Sequence, residues 1–206
     1  MSTKASKEAA RRRYRKRRRA ELEADTRRRI TEAAVHLHGT VGPARTTISA
    51  VAEHAGVQRA TVYRHFPDEE ALFGACSAHW LAANPLPDLG RWAEIGDPEE
   101  RLRTALDELY AWFERGQSMI EKTTRDVAVV PALEQSMAGL ALWFDAAADA
   151  LLRGRPERGG RRRRVRAAIA HALAFPTWRS LVQEQGLPPE AAIGLMAALV
   201  AAAAAG

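Results

Sequence analysis

Along most of the chain, apolar residues recur three and four positions apart, the spacing that lines one face of an α-helix. Ile30, Ala33, Ala34 and Leu37 form the first such stripe, on a helix predicted over about 25–38 and ended by Gly39, Gly42 and Pro43. Thr46 and Thr47 offer an N-cap for a second helix, whose stripe is Ile48, Val51, Ala52 and Ala55. Gly56 supplies the positive φ that closes this helix sharply. A third, short helix is expected over about 58–65, with Val62 and Phe66 facing inward. Pro67 and Asp68 break it. Asp68 then caps a fourth helix with the stripe Leu72, Phe73, Cys76, Trp80 and Ala83, stopped at 84–87. Stripes that share one small core, with a glycine where two short helices cross, make a helix-turn-helix inside a three-helix bundle.

Beyond Asp97 the pattern stays helical. Pro98 opens a helix carrying Leu102, Ala105, Leu106, Leu109 and Phe113. A separate short helix is expected over 118–129, and a long one over 132–152 with Leu133, Met137, Leu140, Phe144 and Leu151 inward. The stretch "RGRPERGGRRRR" at 153–164 reads as an exposed basic loop. Val165, Ile169, Ala172 and Leu173 open another helix, which Pro176 is expected to kink ahead of Trp178, Leu181 and Val182. A final helix follows Pro188 and Pro189. No strand and no fixed-period repeat is expected, so the fold class is all-α.

The chain's 206 residues are enough to bury a real core. Charge divides it unevenly. Residues 1–29 hold 13 of the 31 Lys and Arg and 4 of the 25 Asp and Glu, a net +9, whereas the remainder is −3. A polyanion partner is therefore expected for the N-terminal end alone. The run "RRRYRKRRR" at 11–19 repels itself in isolation. Near phosphate it can order as an extended arm or as a forward extension of the first helix.

A single cysteine, Cys76, leaves no internal disulfide and no cysteine-based zinc site, and points to a reducing, cytosolic setting. No apolar segment follows the basic start, so a secretory signal is not expected. The alanine-rich stretch from Ala191 is too weakly apolar for a membrane span and reads as a buried helix at a subunit contact. His36, His38, His54, His65, His79 and His171 form no metalloprotease pattern, and Gly154–Gly160 lacks the lysine and hydroxyl of a phosphate loop. No catalytic residue, metal or cofactor is expected.

The stretch "TTISAVAEHAGVQRATVYRHFPDEEALF" at 46–73 resembles the DNA-binding region of TetR-family transcriptional regulators. The resemblance rests on Thr47, Ala52, Ala55, Gly56, Val57, Thr61, Val62, Tyr63, His65, Phe66, Glu70 and Leu72 at the family's spacing. Two departures stand out. Gln58 and Ala60 occupy places where the family often has a small hydroxyl residue and glycine. Glu69 stands where a lysine usually meets phosphate, so that contact is expected to be missing, and the arginine-rich arm can compensate.

The resemblance implies a cytoplasmic, homodimeric repressor of double-stranded DNA, released from a palindromic operator by a small-molecule effector. Beyond the basic arm over 1–20 set off by its charge, the resemblance implies a helix-turn-helix domain over 21–84 and an effector-binding and dimerisation domain over 97–206. The dimer bundle would comprise about 161–185 and 189–203. Arg59 and Arg64 are candidates for guanine or phosphate. Gln58 can read adenine or merely cap the helix. Thr47, Thr61, Tyr63 and His65 suit phosphate, with core packing the alternative for the last two. Arg11, Arg12, Arg13, Arg15 and Lys16 can enter the minor groove, meet phosphates only, or form a disordered tail.

Tyr110, Trp112, Phe113, Met119, Met137, Trp143, Phe144, Phe175 and Trp178 are candidates for an effector pocket, against ordinary core packing. Two aromatic pairs, Trp112–Phe113 and Trp143–Phe144, are adjacent in sequence, so one member of each is expected to point to a cavity. Glu121, Asp126 and His171 are polar candidates there. The alternative function is a sequence-tolerant nucleic-acid coating protein driven by the arginine arm.

Overall fold

Ile30 and Ala34 are fully buried, but the helix that carries them is far longer than its apolar stripe. The computed structural model describes the backbone of residues 2–205 and the side chains of residue 8 and residues 10–205. Its first helix, α1, runs Ser2–Thr40 without a break. The arm is a forward extension of this helix. At 1.5 Å per residue the part ahead of Asp25 projects roughly 35 Å, and every side chain from Ala10 to Ala24 is exposed. Ion pairs one turn apart interleave the arginines with acids: Arg12–Glu8, Arg17–Glu21 and Arg19–Glu23.

Helices α2 (Ile48–His54) and α3 (Arg59–His65) pack on the end of α1. The Thr47 hydroxyl accepts the Ala50 N–H at 3.1 Å, and Gly56 turns the chain at φ 64°. Val51, Val62 and Phe66 close the small core with Ile30 and Ala34. Two arginines of α1 fix this unit from outside. Arg27 lies 4.0 Å over the Phe66 ring and donates to the His65 carbonyl. Arg29 donates to the Ala55 carbonyl at 2.9 Å. One helix thus holds both the α2–α3 turn and the end of α3.

Helix α4 (Glu69–Ala83), capped by Asp68, joins two cores. Leu72 and Cys76 belong to the N-terminal one, while Trp80 and Leu81 pack against the larger C-terminal one. Ala83, expected inside, is exposed. The chain leaves the helix there, and Asn84 turns back to donate to the Trp80 carbonyl and accept from the Trp112 indole.

The C-terminal core is built from α5 (Leu89–Glu94), α6 (Pro98–Asp126), α7 (Pro131–Leu151), α8 (Gly159–Ala172), α9 (Phe175–Trp178) and α10 (Pro189–Ala205). The expected break before 118 is absent. Residues 118–126 continue α6, and only a 3₁₀ turn over Val127–Val129 precedes Pro131. Helix α5 was not foreshadowed by the apolar pattern; Asp88 caps it and buried Trp92 anchors it by donating to Glu108 at 2.8 Å.

The basic stretch 153–164 is a loop only over residues 153–158, and most of it is exposed. Arg161–Arg164 lie in the first turns of α8. Arg155 is buried, paired with Glu99 at 2.8 Å and donating to the Leu151 and Pro98 carbonyls. Buried Arg101 likewise donates to the carbonyls of Ile95, Gly96, Ala150 and Arg153. Pro176 separates rather than kinks: α8 has already ended, and the proline occupies the first turn of α9, where a missing N–H is no loss. A π-helical turn over Arg179–Glu184 follows. Among the described residues there is no strand, and no helix is long and apolar enough to cross a membrane.

Gly116 sits mid-helix because α4 crosses α6 there. A Cβ at this position would come 2.9 Å from the Trp80 ring and 2.9 Å from Ile120. Helix propensity alone favours Gly116→Ala by about 1 kcal/mol. The displaced indole outweighs it, and the substitution is expected to lower stability by about 1–3 kcal/mol in urea unfolding. A variant as stable as the parent, or more so, would contradict this packing.

Candidate nucleic-acid interface and internal cavity

Helix α3 turns Val62 into the core and leaves its opposite face bare. Gln58, Arg59, Tyr63 and Arg64 are exposed, as is Thr47 at the start of α2, while Thr61 and His65 are half-buried. Tyr63 is 47% exposed, so it is no core residue. Gln58 stands at the N-cap of α3 but makes no side-chain cap bond, which leaves its amide free to meet a base edge. His65 differs. Its Nε2 is buried without a partner, and burial, reinforced by Arg64 and Arg27, pushes its pKa down. The shift favours the uncharged ring, held under the end of the helix.

At the start of α4, Asp68 caps while Glu69 and Glu70 occupy the first turn. Three acids complement the helix dipole and leave that end unattractive to phosphate. The cationic surface lies on the α1 extension. Arg11, Arg13, Arg15, Lys16 and Arg18 are exposed and have no carboxylate partner among the described residues, whereas Arg12 is paired to Glu8.

A cavity of about 880 Å³ lies between α1, α4, α6, α7 and the α8–α9 junction. Of the aromatic and methionine candidates, Trp112, Phe113, Met119, Met137, Trp143, Phe144 and Phe175 line it. Tyr110 and Trp178 do not. Tyr110 donates to the Ala172 carbonyl at 3.1 Å, and Trp178 packs on Phe113 and Phe175. Both members of each adjacent pair reach the cavity, rather than one, because it is wide enough to span neighbouring helix positions. Glu121 and His171 are exposed and lie outside the lining; Asp126 is buried beside it.

The apolar pattern assigned Phe73, Cys76 and Trp80 to the first bundle, yet they too line this cavity, with His38 of α1. The available signal was a stripe on α4 too long and too aromatic for a bundle of two very short helices. His38 stacks on Phe73 at 4.8 Å. Burial lowers its pKa to about 4 against the opposing charge of Asp126, so the imidazole is neutral. Burial also pushes the Cys76 thiol up to about 12, which keeps it protonated.

The last turns of α6 touch both regions. Met119, Thr123 and Val127 lie against the cavity. Between them, Ser118 donates to the Gly39 carbonyl at 2.6 Å, and the Asp126 carboxylate accepts the Ala44 N–H at 3.0 Å. Arg125 donates to Asp126 at 2.6 and 3.0 Å and to the Val41 carbonyl at 3.3 Å. The Arg125 hydrogen bond holds the Asp126 carboxyl below the usual range although burial opposes it. Gly42 passes these groups at φ 98°, and a side chain there would collide with both.

A bare recognition-helix face on a small bundle, joined by α4 to a larger helical domain, defines a helix-turn-helix DNA-binding protein. Residues 30–76 match the family model described as bacterial regulatory proteins, tetR family. No curated protein matches the chain. Among solved structures, a TetR-like transcriptional regulator from a Rhodococcus species aligns with TM-score 0.63 at 18% identity, covering 88% of this chain and 96% of that one. A tetR-family regulator from Streptomyces coelicolor gives 0.61 at 19%, covering 88% and 83%. A TetR transcription regulator from Haloarcula marismortui gives 0.59 at 16%, covering 88% and 97%. Identity at this level speaks for the shared fold. With the family match over the helix-turn-helix, it supports a TetR-family transcriptional regulator.

Neutral His38 makes stability pH-dependent. Its folded pKa of about 4 lies below the ordinary 6.5. The contribution is therefore complete above 6.5 and disappears as pH falls toward 4, on the order of 3 kcal/mol in all. Urea unfolding across that window should show a steeper decline for the parent than for His38→Phe. His65, shifted the same way, is present in both proteins and cancels. Parallel curves would contradict a buried neutral His38.

Proposed function

We propose that the chain is a dimeric transcriptional repressor whose paired α3 helices read the two halves of a palindromic operator, and which leaves DNA when a small molecule fills the cavity. The observation that carries this is the unobstructed α3 face, where Gln58, Arg59, Tyr63 and Arg64 stand free above a core that fixes the helix. Guanidinium and amide groups at that position have the donor geometry of major-groove edges. Reading two half-sites requires the α3 helices of two copies to sit about 34–36 Å apart.

The outer side of α10 supports dimerisation. Leu195 and Leu199 are 49% and 40% exposed and share that side with Ala191, Ala198 and Ala202. Large apolar side chains left bare at helical spacing favour a second copy over water. The cytoplasm follows from a DNA partner, and no catalytic step is part of the proposal. Release is assigned to the end of α6, since that segment contacts cavity and reader together.

The α1 extensions add phosphate contacts flanking the operator. With about 6–10 contacts per dimer, affinity falls ~10³–10⁵-fold between about 50 and 200 mM salt.

Selection from a random duplex pool at near-physiological salt tests the proposal, with the full chain and with residues 1–20 deleted. An enriched palindrome is expected in both, and the salt slope should fall by about 0.9 for each phosphate that the arm no longer neutralises. Tight binding without any enriched sequence, abolished by the deletion, would replace the repressor with a coating protein driven by the arm.

A further inference from the structure

We propose that the cavity takes a lipophilic organic cation, held between aromatic faces with Glu134 at the rim as its counter-charge; this rests on the effector role assigned to the cavity above. Among the described residues the lining contains no lysine and no arginine, and its carboxylates are Glu134 and Asp145. Asp145 shares its charge with Arg166 at 3.2 Å. Glu134, exposed in the first turn of α7, has no cation partner among the described residues.

The polar groups inside point the same way. The Thr123 hydroxyl donates to the Met119 carbonyl at 2.9 Å, and Ser136 donates to the Leu133 carbonyl at 3.0 Å. Ser77 donates to Ser136 at 3.4 Å. With their protons engaged, these hydroxyls offer lone pairs to an occupant. Neither His38, uncharged at neutral pH, nor the protonated Cys76 supplies a formal charge. Thr124 is the one lining hydroxyl with no hydrogen bond among the described residues, so an anion would be desolvated with a single free hydroxyl and no counter-charge to compensate it. Trp80, Trp112, Trp143 and Phe113 line the cavity, and a cation over such a ring face is attracted by the ring quadrupole, most strongly by an indole. At about 880 Å³ the space suits a multi-ring molecule.

Two probes of matched shape and opposite charge separate charge from size: tetraphenylphosphonium and tetraphenylborate. Binding is read from quenching of tryptophan fluorescence in the full chain, with neutral Nile red as a third probe. The arm contains no tryptophan, so borate adhering to its arginines stays silent. The phosphonium ion is expected to bind at least about tenfold more tightly than the borate, and Glu134→Gln should narrow that preference about threefold at an exposed rim.

Equal or tighter borate binding overturns the charge assignment while leaving the cavity as an effector site, and so does binding of Nile red alone. A preference that Glu134→Gln leaves unchanged removes Glu134 from the proposal. If none of the three probes binds, the effector reading of the cavity fails, and the proposal with it.

Discussion

Asp126 ends α6 with its carboxylate divided between the Arg125 guanidinium and the Ala44 amide. The group is 4% exposed. A buried carboxylate is tolerable only while such partners are in place, and removing one leaves an uncompensated charge. The clamp therefore has one arrangement of low energy, with the α1–α2 connection drawn against the last turn of α6. Gly42 enables it by leaving room for both side chains at a backbone angle that other residues rarely adopt. Most other features of the interdomain junction, from the Ser118–Gly39 bond to the His38–Phe73 stack, lie within a turn or two of this point.

The reader itself is held by cations turned to structural use. Arg27 and Arg29 belong to the arginine-rich N-terminal segment by composition, yet they seal the α2–α3 turn and the end of α3. The same helix continues outward as the exposed cationic extension. A continuous α1 thus relates three things: the position of α3, the direction of the arm, and His38 at the cavity wall. In the proposed function, an occupant that shifts the α6 end is felt by α3 through the clamp, and by the arm through α1.

Helix periodicity made the first bundle legible almost residue by residue, because Thr47, Gly56 and Asp68 are local signals whose effects stay local. It was weaker where a distant contact decides the outcome. Nothing near Gly116 in sequence announces that Trp80 lies against it. Arg155 looked like a loop cation because Glu99, its partner, is 56 residues away. The cavity was visible as an excess of aromatic residues on α6 and α7. Its other wall on α1 and α4 was hidden, since His38, Phe73 and Trp80 fit the period of the first bundle equally well. His65 carries the polar tip that suggested phosphate, but its burial is a tertiary property that sequence spacing does not encode.

The central claim is that the clamp, rather than the hydrophobic contact alone, ties the reading helices to the second domain. Amide hydrogen exchange compared between the parent chain and Asp126→Ala measures this directly, because exchange reports local opening region by region. Faster exchange confined to the Gly42 turn, α2 and α3, with α8 and α10 unchanged, is the predicted result. Uniform acceleration throughout the chain, or no change in α2 and α3, would contradict it.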